Sequence, residues 1–356
     1  MGAKGRCLAA VAASILALAG CTEEPKVLRL YTWFEYTSPE VVSAFEQKYD
    51  CTIEIITFDT NEEMIAKLRD EGGAYDIIVP SAYLVRQMAK EKMIVPIDHA
   101  RCPSVRRNFP KDYSRMLPDD PGLKYAVPYG ISRSGLMYAT NRIPSGVVVD
   151  SWAILGNPAL KGHVFMLNDM REVLGLALMY RGCSANSEDA GEIAAAADQV
   201  LAWAPNVAQW DSDDSLFAKA GDSVWLWHTY GDTANQLMGE EGPTVLSGMA
   251  LADPKEGSLF SCEVMVVSSG CRNDDLAYAF IEFLYADAGI GRAHMVYNGC
   301  LLPSAPALEE LSPKLRDLVV PPPEVMARGQ ILRGFDGKPE VQALYEKAWG
   351  RIVRER

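Results

Sequence analysis

Histidine is scarce in this chain of 356 residues, with four in all, and its eight cysteines include no C-x-x-C pair. His99, His163, His228 and His294 stand too far apart for H-x-x-x-H, so the spacings that bind structural zinc or attach haem are missing. Positive charge is short as well. Lys and Arg number 34 against 47 Asp and Glu, and the net charge of −13 argues against a nucleic-acid backbone as partner. No G-x-S-x-G motif and no Cys/His pair close in sequence marks a nucleophilic enzyme. Past the first twenty residues, no apolar run approaches the roughly 18 residues that a membrane-spanning helix needs. What remains is an ordinary folded composition, 49% hydrophobic and 23% charged. Its length predicts about two domains.

The N-terminus reads as an address. Lys4 and Arg6 precede the short apolar stretch from Cys7 to Ala19, the pattern of a secretory signal. Leu18-Ala19-Gly20-Cys21 resembles the bacterial lipoprotein processing site. Residues 1–20 are therefore expected to be removed, Cys21 to carry lipid, and residues 21–26 to tether a body held at a membrane surface from the periplasmic side. Six cysteines then remain: Cys51, Cys102, Cys183, Cys262, Cys271 and Cys300. Export permits disulfides, yet a body of this size does not need them, and no pairing is assigned.

From Val27 onward, strand and helix patterns alternate with little linker, which predicts an α/β fold with parallel strands and crossover helices. Val27 to Tyr31 reads as the first strand. Thr37-Ser38-Pro39-Glu40 supplies a capping hydroxyl, a first-turn proline and a glutamate three residues after Thr37. An alternating strand near Thr52 to Thr57, a helix with Met64, Ile65 and Leu68 inward, a Gly72-Gly73 stop and the strand Asp76 to Val79 complete a βαβαβ start. A helix from Tyr83 to Glu91 and a strand Ile94 to Ile97 follow, and Cys102 to Pro121 reads as irregular. After Trp152 a second alternation begins, with strand Val164 to Leu167, helix Glu172 to Tyr180, helix Glu188 to Trp203 and strand Val224 to Trp227. The extended segment Cys262 to Ser268, a helix Leu276 to Tyr285 and a helical tail near Val341 to Val353 close the chain.

The densest chemistry, Tyr31-Thr32-Trp33-Phe34-Glu35-Tyr36, follows the first strand, where open parallel sheets bind ligands. Aromatic faces beside a carboxylate suit an organic cation. The same residues also suit a packed aromatic cluster with a solvated glutamate. Asp169 and Glu172 share a helix face, which serves either a ligand or a capping pair. Trp225 and Trp227 share one strand face, and core packing accounts for either.

Three segments in order carry a resemblance: Leu30 to Tyr36, then Tyr75-Asp76-Ile77-Ile78-Val79-Pro80-Ser81-Ala82-Tyr83, then Asp169-Met170-Arg171-Glu172-Val173. With Pro128-Tyr129, Ser151-Trp152, Pro205-Asn206-Val207 and Lys255-Glu256-Gly257, they make the chain similar to the spermidine/putrescine-binding proteins of bacterial polyamine ABC importers. That resemblance implies a periplasmic-binding-protein-like fold, two α/β lobes closing on a ligand cleft. The lobes are expected at 27–131 plus 256–303, and at 132–255 plus 304–356. It implies ligand contacts from Trp33, Phe34, Glu35, Tyr36, Ser81 and Tyr83 on one lobe, from Asp169, Glu172 and Trp227 on the other, and from Glu263 in the returning segment. Its partners would be a polyamine and the permease subunits of an ABC transporter. The protein would act as a monomer without enzymatic activity, cofactor or metal.

Two departures matter. Ser261 and Glu263 stand where the family commonly has tryptophan and aspartate, and Cys300 stands where a ligand-contacting tyrosine is usual. Glutamate moves the charge by about 1.5 Å relative to aspartate, which alters the amine spacing that fits. Another cargo in the same architecture (an amino acid, a sugar, or ferric iron held by Tyr36 and Tyr83) and a sensory co-receptor remain the alternatives.

Overall fold

The computed structural model describes residues 26–71, 74–211, 223–238, 247–335 and 337–356. The signal peptide, Cys21, nearly all of the tether and the Gly72-Gly73 stop lie outside the described residues.

The first strand, β1 (Val27–Trp33), runs parallel to β2 (Thr52–Phe58) and to the short β3 (Ile77–Ile78). Helix α1 (Pro39–Tyr49) connects β1 to β2, burying Val41 and Phe45 at helical spacing. Its cap is Ser38, whose Oγ accepts from the Val41 amide, one residue later than expected. The Thr37 hydroxyl instead meets that of Tyr129 at 2.9 Å, and this tertiary bond outcompetes local capping. Helix α2 (Asn61–Glu71) turns Met64, Ile65 and Leu68 inward as its spacing predicts. A 3-10 turn, Ala82–Leu84, precedes α3 (Val85–Lys90). Of the strand expected at 94–97, only Ile94 forms a bridge, with Ser268. Within the segment read as irregular, α4 (Pro103–Asn108) starts on a first-turn proline, and the amide and hydroxyl of Ser104 bind Glu282.

The long strand β4 (Val127–Ala139) leads into β5 (Val164–Leu167), α5 (Met170–Tyr180), α6 (Ala190–Trp203), β6 (Val207–Asp211), β7 (Leu226–Tyr230), α7 (Gly231–Met238) and β8 (Met249–Ala252). The chain returns through β9 (Leu259–Val267), α8 (Asp274–Ala286) and α9 (Ala288–Asn298). It finishes with α10 (Ala305–Glu309), α11 (Pro313–Val319), α12 (Pro323–Arg328), β10 (Gln330–Ile331) and α13 (Pro339–Glu355). Strand order is β2-β1-β3-β9-β4-β7-β5-β6, with β10 on β9 and β8 on β4.

Burial divides this sheet. One core gathers β1 to β3, the first half of β4 through Ile131, and β9 from Phe260 onward. A second gathers Leu136, α5, α6, Leu259 and α13, and a smaller third holds Met137, Phe165 and Trp227. Both β4 and β9 therefore pass from one core to the other, antiparallel and adjacent. At the passage, buried Arg133 binds Asp253 at 2.6 Å and donates to the Leu318 carbonyl at 3.1 Å. Residues 305–326, grouped with the second lobe by the sequence reading, bury Ala307, Leu311, Leu315 and Val319 in the first core. The cause is local: at Gly291 on α9 the missing Cβ leaves the space that Ala307 fills. The six cysteines of the body are free thiols. No described helix is long and apolar enough to cross a membrane.

Candidate functional site

Side chains alternate across a strand, so Gly130, Ser132 and Ser134 lie on one face of β4. Glu263 and Ser261 on β9 pair with Gly130 and Ser132, and Tyr230 on β7 pairs with Ser134. These small residues leave a shallow floor, and three carboxylates gather on it, one from each of three elements. Successive positions on that floor are two residues apart, about 6.7 Å along the strand.

At the first position, Glu263 is 9% exposed. Its Oε1 accepts from Ser81 at 3.4 Å, and its Oε2 accepts from Tyr36 at 3.4 Å and from Ser261 at 3.5 Å. Ser81 is held by an isolated bridge to Glu263 and by the Asn61 side chain, which also donates to the Tyr83 hydroxyl at 2.9 Å. The Tyr36 hydroxyl lies 2.8 Å from Cys300 Sγ, and both fill the space above Gly130 where a side chain would clash. Burial pushes Glu263 up to about 8, and the nearby Asp232 adds to this, while its three hydroxyl donors pull it back. Tyr36 and Tyr83 are raised by the same burial and stay protonated.

At the middle position, Ser132 donates to Asp232 Oδ1 at 3.2 Å and accepts from the Asp232 amide at 2.9 Å. Asp232 opens α7 directly beyond the carboxyl end of β7. The helix comes this close because Gly231 lacks a Cβ, which would collide with the Arg133 carbonyl. Burial raises the Asp232 carboxyl as well.

At the third position, Ser134 donates to Glu172 Oε2 at 2.6 Å. Glu172, 4% exposed, sits in the first turn of α5, whose cap is Asp169. Asp169 Oδ1 accepts from the Glu172 amide at 2.8 Å, and Oδ2 accepts from Tyr230 at 3.3 Å. Capping and membership of the cluster are therefore compatible. Burial pushes Glu172 up to about 8, with Asp169 and Asp232 adding repulsion and Ser134 opposing it. Among the described residues no lysine or arginine pairs with Glu172, Asp232 or Glu263. Arg171 instead stacks on Phe335 and Tyr345 and bonds Asn186.

Of the residues expected from sequence, the structure thus brings together Tyr36, Ser81, Tyr83, Asp169, Glu172 and Glu263. Trp33 packs against Phe58 with ring centroids 4.5 Å apart, while Phe34, 69% exposed, and Glu35 stand in solvent. Trp227 does not join the acids. His228 and Tyr230 point to α5, so strand alternation turns Trp227 the other way, into the small core with Met137 and Phe165. Asp232, Ser132, Ser134 and Asn61 escaped the sequence reading. The alternation Gly130-x-Ser132-x-Ser134 in β4 is a visible sign of the two serines, and nothing comparable marks Asp232 or Asn61.

The arrangement is a row of buried and half-buried carboxylates and hydroxyls, unmatched by any lysine or arginine among the described residues, and its chemistry suits a guest carrying positive charge at intervals. Residues 40–317 match the model of the bacterial extracellular solute-binding protein family. The spermidine/putrescine-binding periplasmic protein of Escherichia coli K12 is 31% identical over 283 residues, covering 77% of this chain and 78% of that one. Among solved structures, the spermidine/putrescine ABC transporter substrate-binding protein PotD of Streptococcus pneumoniae superposes with a TM-score of 0.80 at 26% identity, covering 93% of this chain and 99% of that one. The TpPotD lipoprotein of Treponema pallidum gives 0.77 at 26% identity, covering 92% and 99%. With its sheet passing between two cores and its acids lined along the passage, this chain belongs to the family of bacterial extracellular solute-binding proteins.

Proposed function

We propose that this protein captures polyamines, spermidine and/or putrescine, between two lobes and delivers them to an ABC import permease. The observation that carries the reading is the row Glu263, Asp232, Glu172 along one face of β4, half-buried or buried and unmatched by any lysine or arginine among the described residues. Three charge-assisted hydrogen bonds at about 1.5–3 kcal/mol each are commensurate with the ~8 kcal/mol of micromolar binding. The named cargo of the relatives agrees with this chemistry. The lobes divide at the passage of β4 and β9, with residues 305–326 in the first. Glu263 then belongs to the first lobe and Glu172 to the second, so one guest touching both favours the closed form. The protein works as a monomer without catalysis, anchored on the periplasmic side by lipid on Cys21, in keeping with the lipoprotein relative and the processing site.

Calorimetric titration of the purified protein against spermidine, putrescine, spermine, an amino-acid panel and ferric citrate tests the reading. Saturable one-to-one binding of a polyamine with a raised melting temperature is expected. Silence toward all three polyamines would refute it.

A further inference from the structure

His228 is a buried polar side chain beside the row of acids that neither the core nor the cargo reading accounts for. It is 0% exposed, and neither ring nitrogen has a hydrogen-bond partner among the described residues. Buried polar atoms are rarely left so, and those that are call for an explanation. The ring stands edge-on to Trp152 at 5.6 Å, and Trp152 is itself fixed by its Nε1 bond to the Gly257 carbonyl. Across the sheet its neighbour is apolar Leu136. The polar group it faces is Glu172, whose Oε2 lies 3.9 Å from His228 Nε2.

We infer that His228 is a positioning residue for the amine site, holding the Glu172 carboxylate toward the cleft through an Nε2–H donor behind Oε2. The inference rests on the polyamine reading above. Each group facing Glu172 has a defined part. Ser134 from β4 already donates to Oε2, Asp169 on α5 and Asp232 from α7 repel charge there, and Arg171 on α5 weakly offsets them. An arriving ammonium makes Glu172 ionise, and Oε2 then accepts a second donor more strongly than the neutral acid does. Burial lowers His228 to about 3, so the ring is neutral and carries one N–H and one bare nitrogen. A small side-chain adjustment closes the gap on the Nε2 side and leaves Oε1 for the guest. No net charge is added beside the cationic cargo, which an imidazolium would repel.

The test is titration with putrescine and spermidine from pH 6 to 9, using wild type, His228→Leu, His228→Gln, Glu172→Gln and the double variant His228→Leu/Glu172→Gln. His228→Leu should weaken binding about tenfold at pH 7, and the deficit should shrink toward pH 9, where Glu172 ionises unaided. His228→Gln, which keeps an N–H donor, should recover most of the affinity. In the Glu172→Gln background the leucine should change affinity less than twofold. A loss equal at every pH, or one that persists undiminished without Glu172, would reduce His228 to core filling and overturn the inference. Should the leucine variant fail to fold, ring 15N shifts of wild-type His228 decide: a shift of Nε2 on amine binding supports the role, and an unchanged ring overturns it. A wild type silent toward every polyamine would overturn the polyamine reading together with this inference.

Discussion

Ser134 on β4 and Glu172 on α5 meet at 2.6 Å, joining the strand that crosses between the cores to the first turn of a second-core helix. The bond opposes the upward push of burial on the carboxyl. Glu172→Gln should therefore weaken polyamine binding at least tenfold, equivalent to about 1.4 kcal/mol. Ser134→Ala should cost less, about 0.5–1.5 kcal/mol, because it removes one donor and leaves the charge. Calorimetric titration of both variants checks the ranking, and equal losses would contradict it.

Stability and affinity should move oppositely with pH. Glu172 and Glu263 are raised to about 8 in the folded protein, against roughly 4.3 for an ordinary glutamate. Between those values the folded state holds more protons than the unfolded one, so the contribution of these groups to stability is full at low pH and is lost as pH rises through 8. Polyamine binding expels those protons and should strengthen from pH 6 to 8. Urea midpoints of the empty protein at pH 5.5 and 8.5 measure the first effect. Glu172→Gln should flatten the decline.

Asp232 lies between the two glutamates and raises both. Asp232→Asn should lower polyamine affinity about tenfold, yet it should make the empty protein less sensitive to alkaline pH, since the repulsion on its neighbours is gone. A titration and a melting curve on the same variant separate these effects. Weaker binding with unchanged alkaline sensitivity would mean that the three acids are not coupled.

Trp227 faces away from the row, so truncation should act on the fold. Trp227→Ala should lower the unfolding free energy by about 3–5 kcal/mol through the cavity it leaves. Affinity measured well below the melting temperature should stay within about threefold of wild type. A large affinity loss in a folded Trp227→Ala protein would return this side chain to the cleft.

Periodicity and caps made much of the fold legible: β5 falls at its expected bounds, and α1, α2, α6 and α13 lie close to theirs. The candidate site was legible where chemistry clusters along the chain, with Tyr36, Ser81 and the pair Asp169 and Glu172 among the side chains that the fold groups. Asp232 was hidden because it is an isolated acid in a short helix, and only β7 ending beside β4 gives it neighbours. Trp227 was expected in the cleft from the resemblance alone, while the two-residue period of its strand also allowed core packing, and Met137 and Phe165 are the side chains it is buried with. The grouping of 305–326 depended on where Gly291 admits Ala307, a contact no periodicity reports.

Gly231 carries a last consequence. The helix bearing Asp232 docks on β4 only because position 231 offers no methyl group to the Arg133 carbonyl. Alanine there would act as a wedge, lifting the start of the helix and widening one interval of the row while the three acids themselves stayed the same. Selectivity would thus be retuned from a backbone contact outside the row of acids, and relatives that differ at this contact need not share a preference even when their acids are identical.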